Sequence, residues 1–226
     1  MMPILHARNV CKDFQVGEEL VHVLKNVDIS IDKGSFSVLK GRSGSGKTTL
    51  MNILGALDTP TSGSVFFKDS DITSLHEKGL DRLRRESMGF VFQSVALVPM
   101  MTAYENIEFG LRVAGYAYQS IDNRCRECLE LVGLGKRHRH MPGELSGGEQ
   151  QRVAIARAIA HKPEIIFADE PTAELDTRTG LQIISVFKEL VRSEGITVMM
   201  TTHDPNMMEL ADKVFTIKDG EITNDG

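Results

Sequence analysis

The sequence predicts an α/β fold: a mostly parallel sheet with helices, a run of strands in the N-terminal third, and an inserted α-helical lobe. Three observations carry this. Strand-like and helix-like segments alternate through the last third of the chain, which is the pattern of parallel βαβ units. The octet "GRSGSGKT" (41–48) sits between a strand-like run and a helical one. The stretch from Pro99 to Leu145 has helical spacing, Gly and Pro punctuation and little strand signal.

In chain order, "ILHARNV" and "VHVLKNVDISI" read as strands, followed by "SFSVLK" (35–40), a short apolar run bounded by "DKG". The glycine-rich turn leads into "KTTLMNILGAL", which has helical periodicity. "GSVFFKDSDI" reads as a hairpin edge and "MGFVFQ" (88–93) as another compact strand. Beyond the helical stretch, "EIIFADE" (164–170) is a buried strand, "TRTGLQIISVFKELVRSEG" a helix and "ITVMMTTH" (196–203) a strand. A short helix follows, then "KVFTIKDGEI", with Asp219-Gly220 as a hairpin turn. No internal repeat or low-complexity segment is visible.

A length of 226 residues suffices for one large domain with an inserted lobe and excludes a tandem duplication. Net charge is −5 without a sustained Lys/Arg stripe, so a nucleic acid is not an expected partner. "GKRHRH" (135–140) is the one dense basic cluster and reads as a solvated turn after a helix. No apolar run approaches the ~18–20 residues that cross a bilayer, and "MMPILHARNV" lacks the apolar region of a signal peptide, so a cytoplasmic location is expected. Cys125 and Cys128 form a CxxC upstream of His138 and His140, a spacing that suggests zinc. Periodicity argues for core instead: Ile121, Cys125, Cys128, Leu129 and Val132 form the apolar stripe of one helix ending at Gly133.

The chemistry concentrates in a few motifs. "GRSGSGKT" satisfies G-x-x-x-x-G-K-[ST] with a strand before and a helix after. Glycines admit backbone N–H groups to a polyphosphate, and the helix N-terminus adds its positive end. Lys47 reaches the β- and γ-phosphates, and Thr48 offers a hydroxyl to Mg²⁺. In "EIIFADE" Asp169 emerges at the carboxyl end of a buried strand, where a carboxylate can hold Mg²⁺ or its waters, and Glu170 can orient or deprotonate a water. "LSGGEQQRVAIARA" (145–158) opens with a capping box, Ser146 with Glu149, yet Gly147 and Gly148 fill the first turn at a cost of up to about 1 kcal/mol each. Bare glycine amides at a helix N-terminus suit close approach of a phosphate. His203 ends a strand just before Asp204-Pro205, a cap followed by Pro at the first helical position, which puts it on the same sheet rim as Asp169.

These motifs, with Gln93 ending a strand and "ELD" (174–176), occur in an order that resembles the ATP-binding subunit of an ABC transporter over essentially the whole chain. The resemblance implies the ABC ATPase fold: a P-loop NTPase, RecA-like core with an N-terminal antiparallel β subdomain (1–93 and 146–226) and an inserted helical lobe at about 94–145. It implies an ATPase whose cofactors are ATP and Mg²⁺. Its partners would be a second copy in an ATP-dependent head-to-tail dimer and integral membrane permease subunits, which would hold it at the cytoplasmic face of the cell membrane.

Matched residue by residue, the resemblance assigns ATP contacts to Gly41, Arg42, Ser43, Gly44, Ser45, Gly46, Lys47, Thr48 and Thr49, and Mg²⁺ to Thr48, Gln93 and Asp169. Gln93 would also touch the attacking water, although alone it reads as a polar strand end. Leu145, Ser146, Gly147, Gly148, Glu149 and Gln150 would face the ATP of the partner subunit, and Leu175 and Asp176 would lie in the loop crossing the dimer interface. Glu170 and His203 would act in hydrolysis with Lys47. Phe14 matches the aromatic that stacks on adenine, with a plain core phenylalanine as the alternative, and "LVPMMTAYENI" (97–107) matches the region that receives a permease helix, with lobe core as the alternative.

The closest resemblance is to the group serving lipoprotein release, macrolide export and peptide-antibiotic export or resistance; a cell-division-type ATPase that transports nothing is the alternative. Two departures stand out. Position 42 is Arg where a smaller residue is usual, and Ala173-Glu174 replaces Gly-Asn in "ADEPTAELDT".

Overall fold

A computed structural model of the chain describes residues 3–223; the outermost positions of the expected 1–226 range lie outside them. The chain divides into two compact units, one of residues up to Arg84 together with those from Thr197 onward, the other Arg85–Ile196.

In the first unit, β1 (Pro3–Val16) and β2 (Glu19–Asp32) form a long antiparallel hairpin, joined by β4 (Ser62–Phe67) and β5 (Ser70–Asp71) in the order β2-β1-β4-β5. β1 pairs β2 with register shifts around Val10 and Lys12. Inward-facing Leu5, Ala7, Val10, Leu24, Val27, Ile29 and Ile31 are buried, the alternation expected of strands with one face on a core. β3 (Phe36–Lys40) lies parallel between β8 (Thr197–Thr201) and β9 (Lys213–Lys218). β3 and β8 are buried along almost their whole length and are mainly apolar, whereas β9 alternates. β10 (Glu221–Thr223) returns antiparallel on β9 through Asp219 and Gly220, both at positive φ (50° and 85°), the backbone a two-residue hairpin turn requires.

Helix α1 (Lys47–Leu54) starts directly after the glycine-rich loop that leaves β3. α7 (Pro205–Met208) starts at Asp204, whose carboxylate accepts from Asn206 N. α2 (Glu77–Ser87) carries the chain from this unit into the next. Its segment is dominated by charged residues, with Leu80 and Leu83 as its only leucines, and it was not singled out from sequence.

In the second unit, β6 (Met88–Val91) and β7 (Ile165–Ala168) pair in parallel, Val91 beside Ala168. Helices α3 (Ala103–Val113), α4 (Tyr118–Leu131), α5 (Gly147–Ile159) and α6 (Thr177–Glu194) pack around Ile107, Leu111, Cys128, Leu129, Val153 and Ile155, all fully buried. Cys125 and Cys128 face this core from α4, and burial pushes both thiols up to about 12. α4 stops where expected, with Gly133 at φ 73° just beyond its cap. Arg124, also on α4, is 4% exposed and donates to the carbonyls of Ile159 (2.8 Å) and Ala160 (2.8 Å), satisfying the C-terminal end of α5. "GKRHRH" is a 3₁₀ turn and its continuation, with the Lys136, Arg137 and Arg139 side chains exposed.

Candidate nucleotide site

In the first unit the loop 41–46 wraps the N-terminus of α1. Gly46 caps that helix at φ 102°, and a β-carbon there would come within 2.9 Å of Leu24 Cδ2 and 3.1 Å of the Val23 carbonyl oxygen, so only glycine fits. No side chain caps α1, which leaves its first amides directed at whatever occupies the loop. Lys47 is 7% exposed and its Nζ donates to the carbonyls of Gly41 (3.0 Å) and Arg42 (3.2 Å), so the ammonium sits within the curl of the loop. Ser45 is equally buried, and its hydroxyl makes no hydrogen bond to another described residue. The buried Ser45 hydroxyl is a donor without an acceptor, and it lies in a loop that also holds a buried ammonium at a helix N-terminus, a setting that fits a polyphosphate.

The same loop borders a cavity of about 480 Å³ lined by Gly41, Arg42, Ser45, His203, Met208 and Asp219. His203 and the loop therefore meet within the first unit. Thr48 is exposed and Thr49 half-buried on the first turn of α1. Sequence reading missed the β9–β10 hairpin in this wall: Gly220 N donates to the Ser45 carbonyl (3.2 Å) and the Gly220 carbonyl accepts from Lys25 N (2.9 Å). The Asp-Gly signal was legible as a turn, but nothing local says what a turn leans on.

Phe14 is 40% exposed on β1, opposite Val21, and so is not a core phenylalanine. The Lys12 ammonium stands 5.0 Å from its ring centroid.

In the second unit the parallel register of β6 and β7 brings their carboxyl ends together, with Asp169 N donating to the Val91 carbonyl (2.9 Å). Gln93, two residues past β6, and Asp169 with Glu170, just past β7, thus share one edge. An amide oxygen and a carboxylate at neighbouring strand ends are the hard oxygen donors that suit a divalent cation also held by phosphate. Glu170 has φ 44°, an uncommon left-handed backbone that costs about 1 kcal/mol or more in a non-glycine residue and concentrates at functional sites. The segment after Gln93 is held by Arg157 of α5, whose guanidinium donates to the carbonyl of Ala96 (2.7 Å). Asn106, fully buried, accepts from Val98 N and donates to the carbonyls of Val98, Met101 and Thr102, pinning the methionine-rich loop to α3. Neither residue was singled out from sequence, because a polar side chain's partner is set by loop geometry. Phe92, Met100 and Phe109 remain exposed.

The capping box at the start of α5 forms as expected. Ser146 Oγ accepts from Glu149 N (3.3 Å), and Glu149 Oε2 accepts from Ser146 N (2.9 Å), which holds the Glu149 carboxyl below its usual range. Leu145 is buried, and Gln150 donates to the Leu145 carbonyl (3.1 Å). The two glycines differ. A β-carbon on Gly147 would make ordinary contact with Leu175 at 3.4 Å, whereas one on Gly148 would lie 2.3 Å from Thr179 Cγ2. Asp176 caps α6: its carboxylate accepts from Thr179 Oγ1 (2.6 Å) and Thr179 N (3.1 Å), bonds that depress its pKa. The loop 171–176 therefore abuts the start of α5, and Glu174 is exposed on it.

A phosphate loop on a strand–helix turn, with a strand ending in Asp-Glu, defines a P-loop nucleotide-binding α/β protein. The chain belongs to the ABC transporter family, whose profile matches residues 24–173. It is 43% identical over 223 residues to the ABC transporter ATP-binding protein MJ0796 of Methanocaldococcus jannaschii, covering 97% of this chain and 95% of that protein. To the lipoprotein-releasing system ATP-binding protein LolD of Syntrophotalea carbinolica it is 45% identical over 220 residues, covering 97% of each. The fold superposes on the dimeric, post-hydrolysis structure of the MJ0796 cassette bound to ADP and Pi with a TM-score of 0.89, at 41% identity and 97% coverage of both chains. The expected fold and family are thereby established.

Proposed function

We propose that this protein is the ATP-hydrolysing subunit of an ABC transporter, working as a head-to-tail dimer around two Mg·ATP and driving a separate membrane permease of the lipoprotein-release or export type. The observation that carries it is the phosphate loop, in which Lys47, the Ser45 hydroxyl and the α1 amides all present donors to one space. The dimeric, ADP- and Pi-bound state of the MJ0796 cassette and the kinship to a lipoprotein-releasing ATPase support the dimer and the partner.

In this reading the donors of residues 41–49 bind the phosphates and Phe14 stacks on the base. Thr48, Gln93 and Asp169 would hold Mg²⁺, which would supply neutralisation of phosphate charge. Glu170 orients a water and takes its proton as the water oxygen bonds to the γ-phosphorus; the bond to the β-phosphate oxygen breaks, leaving ADP and phosphate. His203 donates to the γ-phosphate. The Leu145–Gln150 segment completes the site of the other subunit, with Leu175 and Asp176 at the crossing. The capping box supports this role, because it directs the remaining α5 amides outward.

Residues of about 94–145 form the lobe inserted in a core of 1–93 and 146–226, a division supported by the helices and 3₁₀ turns between Ala103 and Glu144. Exposed Met100, within the 97–107 segment, and Phe109 just beyond it support docking of a permease there. Among the described residues no helix is long and apolar enough to cross a membrane, consistent with peripheral attachment through that partner at the cytoplasmic face.

The test is Glu170→Gln, measured for ATP turnover and for ATP-dependent dimerisation by light scattering. Turnover falls by roughly 10²–10⁴ while a closed dimer accumulates; near-normal turnover would remove Glu170 from the role of base.

A further inference from the structure

The phosphate loop holds one end of a nucleotide, and Phe14 offers a surface to the other. What fixes Phe14 relative to that loop is not obvious, since it sits near the end of a long hairpin whose neighbours Val16, Leu20 and Val21 are exposed. Isolated hairpin ends are marginally ordered in water.

Lys12 resolves this. Its side chain is 12% exposed, and its ammonium donates to Asp58 Oδ1 (2.7 Å) and to the Thr59 carbonyl (2.7 Å) while standing 5.0 Å from the Phe14 ring centroid. Asp58 is fixed in turn: its backbone N donates to the Asn52 carbonyl of α1 (3.2 Å) and its carboxylate accepts from Thr59 N (2.7 Å). Two more bonds lace the same loop to β1, Thr61 N to the Cys11 carbonyl (2.9 Å) and Asp13 N to Thr61 Oγ1 (2.9 Å). The ammonium thus joins the aromatic ring to the chain leaving α1, the helix whose opposite end carries the phosphate loop.

We infer that Lys12 is a positioning residue for the nucleobase: anchored by Asp58, it backs one face of the Phe14 ring and sets the spacing between the base platform and the phosphate loop. A cation behind the ring holds its plane by attraction to the π face. It also places positive charge beneath the electron-rich purine that stacks on the other face. The inference rests on the assignment of Phe14 to the base.

The experiment measures ADP binding by calorimetry, pyrophosphate binding by competition, and KM and kcat for ATP, in the parent chain and in Lys12→Met, Lys12→Arg, Phe14→Ala and the Lys12→Met/Phe14→Ala pair. Lys12→Met weakens ADP binding and raises KM for ATP by roughly threefold to tenfold, leaves pyrophosphate binding and kcat unchanged, and adds nothing once Phe14 is gone. Lys12→Arg, which keeps a cation, recovers most of the loss. If Phe14→Ala weakens ADP and Lys12→Met does not, the positioning role is wrong and the platform stands. If Phe14→Ala leaves ADP binding unchanged, the platform itself is wrong. Equal weakening of ADP and pyrophosphate by Lys12→Met would place its effect on the phosphate loop and overturn the inference.

Discussion

Replacing Gly148 by Ala tests whether the second glycine of the "LSGG" turn is there for packing, for a ligand, or for both. The added carbon would stand 2.3 Å from Thr179 Cγ2, against an optimum of about 3.5–4.0 Å for carbon pairs. Thr179 has little freedom to withdraw, because its hydroxyl donates to Asp176 Oδ2 at 2.6 Å and its amide to Oδ1 at 3.1 Å as part of the α6 cap. Overpacking of this kind costs about 1–3 kcal/mol, while replacing a helical glycine by alanine returns up to about 1 kcal/mol. The expected net loss is about 1–2 kcal/mol, read from urea unfolding followed by circular dichroism. In a Thr179→Ser background, which keeps the hydroxyl and deletes the clashing methyl, the same substitution becomes neutral or stabilising, a coupling that a double-mutant cycle measures directly. A Gly148→Ala protein as stable as the parent would refute the packing argument. If the double variant regains stability without ATP turnover, the glycine also serves close approach to a ligand; if both return, packing accounts for it.

The remaining predictions concern the second unit's interior. Arg124→Met removes the side-chain donor of the Ala160 carbonyl and leaves the Ile159 carbonyl with Lys162 N (3.0 Å), so a loss of about 1–3 kcal/mol is expected, seen as a fall in Tm of roughly 3–12 °C; a shift below a degree or two would show that water replaces the guanidinium. Cys125 and Cys128, pushed up to about 12 by burial, stay unlabelled by a maleimide at pH 8 in the folded protein while the half-buried Cys11 reacts, and labelling of all three without denaturant would contradict their placement. Because their folded pKa lies above the unfolded value of about 8.5, the stability they contribute is fully present below that pH and is lost as pH rises toward 12, which urea midpoints across that range would reveal.

Much of this protein could be read from its residues in order. The strand–loop–helix at 36–54 was legible because strand burial, a glycine turn and the 3.6-residue period are all local signals, and the chemistry of "GRSGSGKT" and "FADE" depends on spacing along a single turn. The capping box, the Cys125/Cys128 stripe and the Asp219-Gly220 hairpin were legible for the same reason. Helix α2 was not read, since its segment is mostly charged and carries only Leu80 and Leu83 as large apolar residues.

What only the tertiary structure decided is which of these local pieces touch. That Thr179 leaves Gly148 no room, that Lys12 reaches Asp58 across 46 positions to back Phe14, and that the β9–β10 hairpin braces Ser45 are contacts between segments far apart in the chain. Local periodicity records which face of an element turns inward. It holds no record of what that face meets, because the meeting is set by the packing of the whole fold.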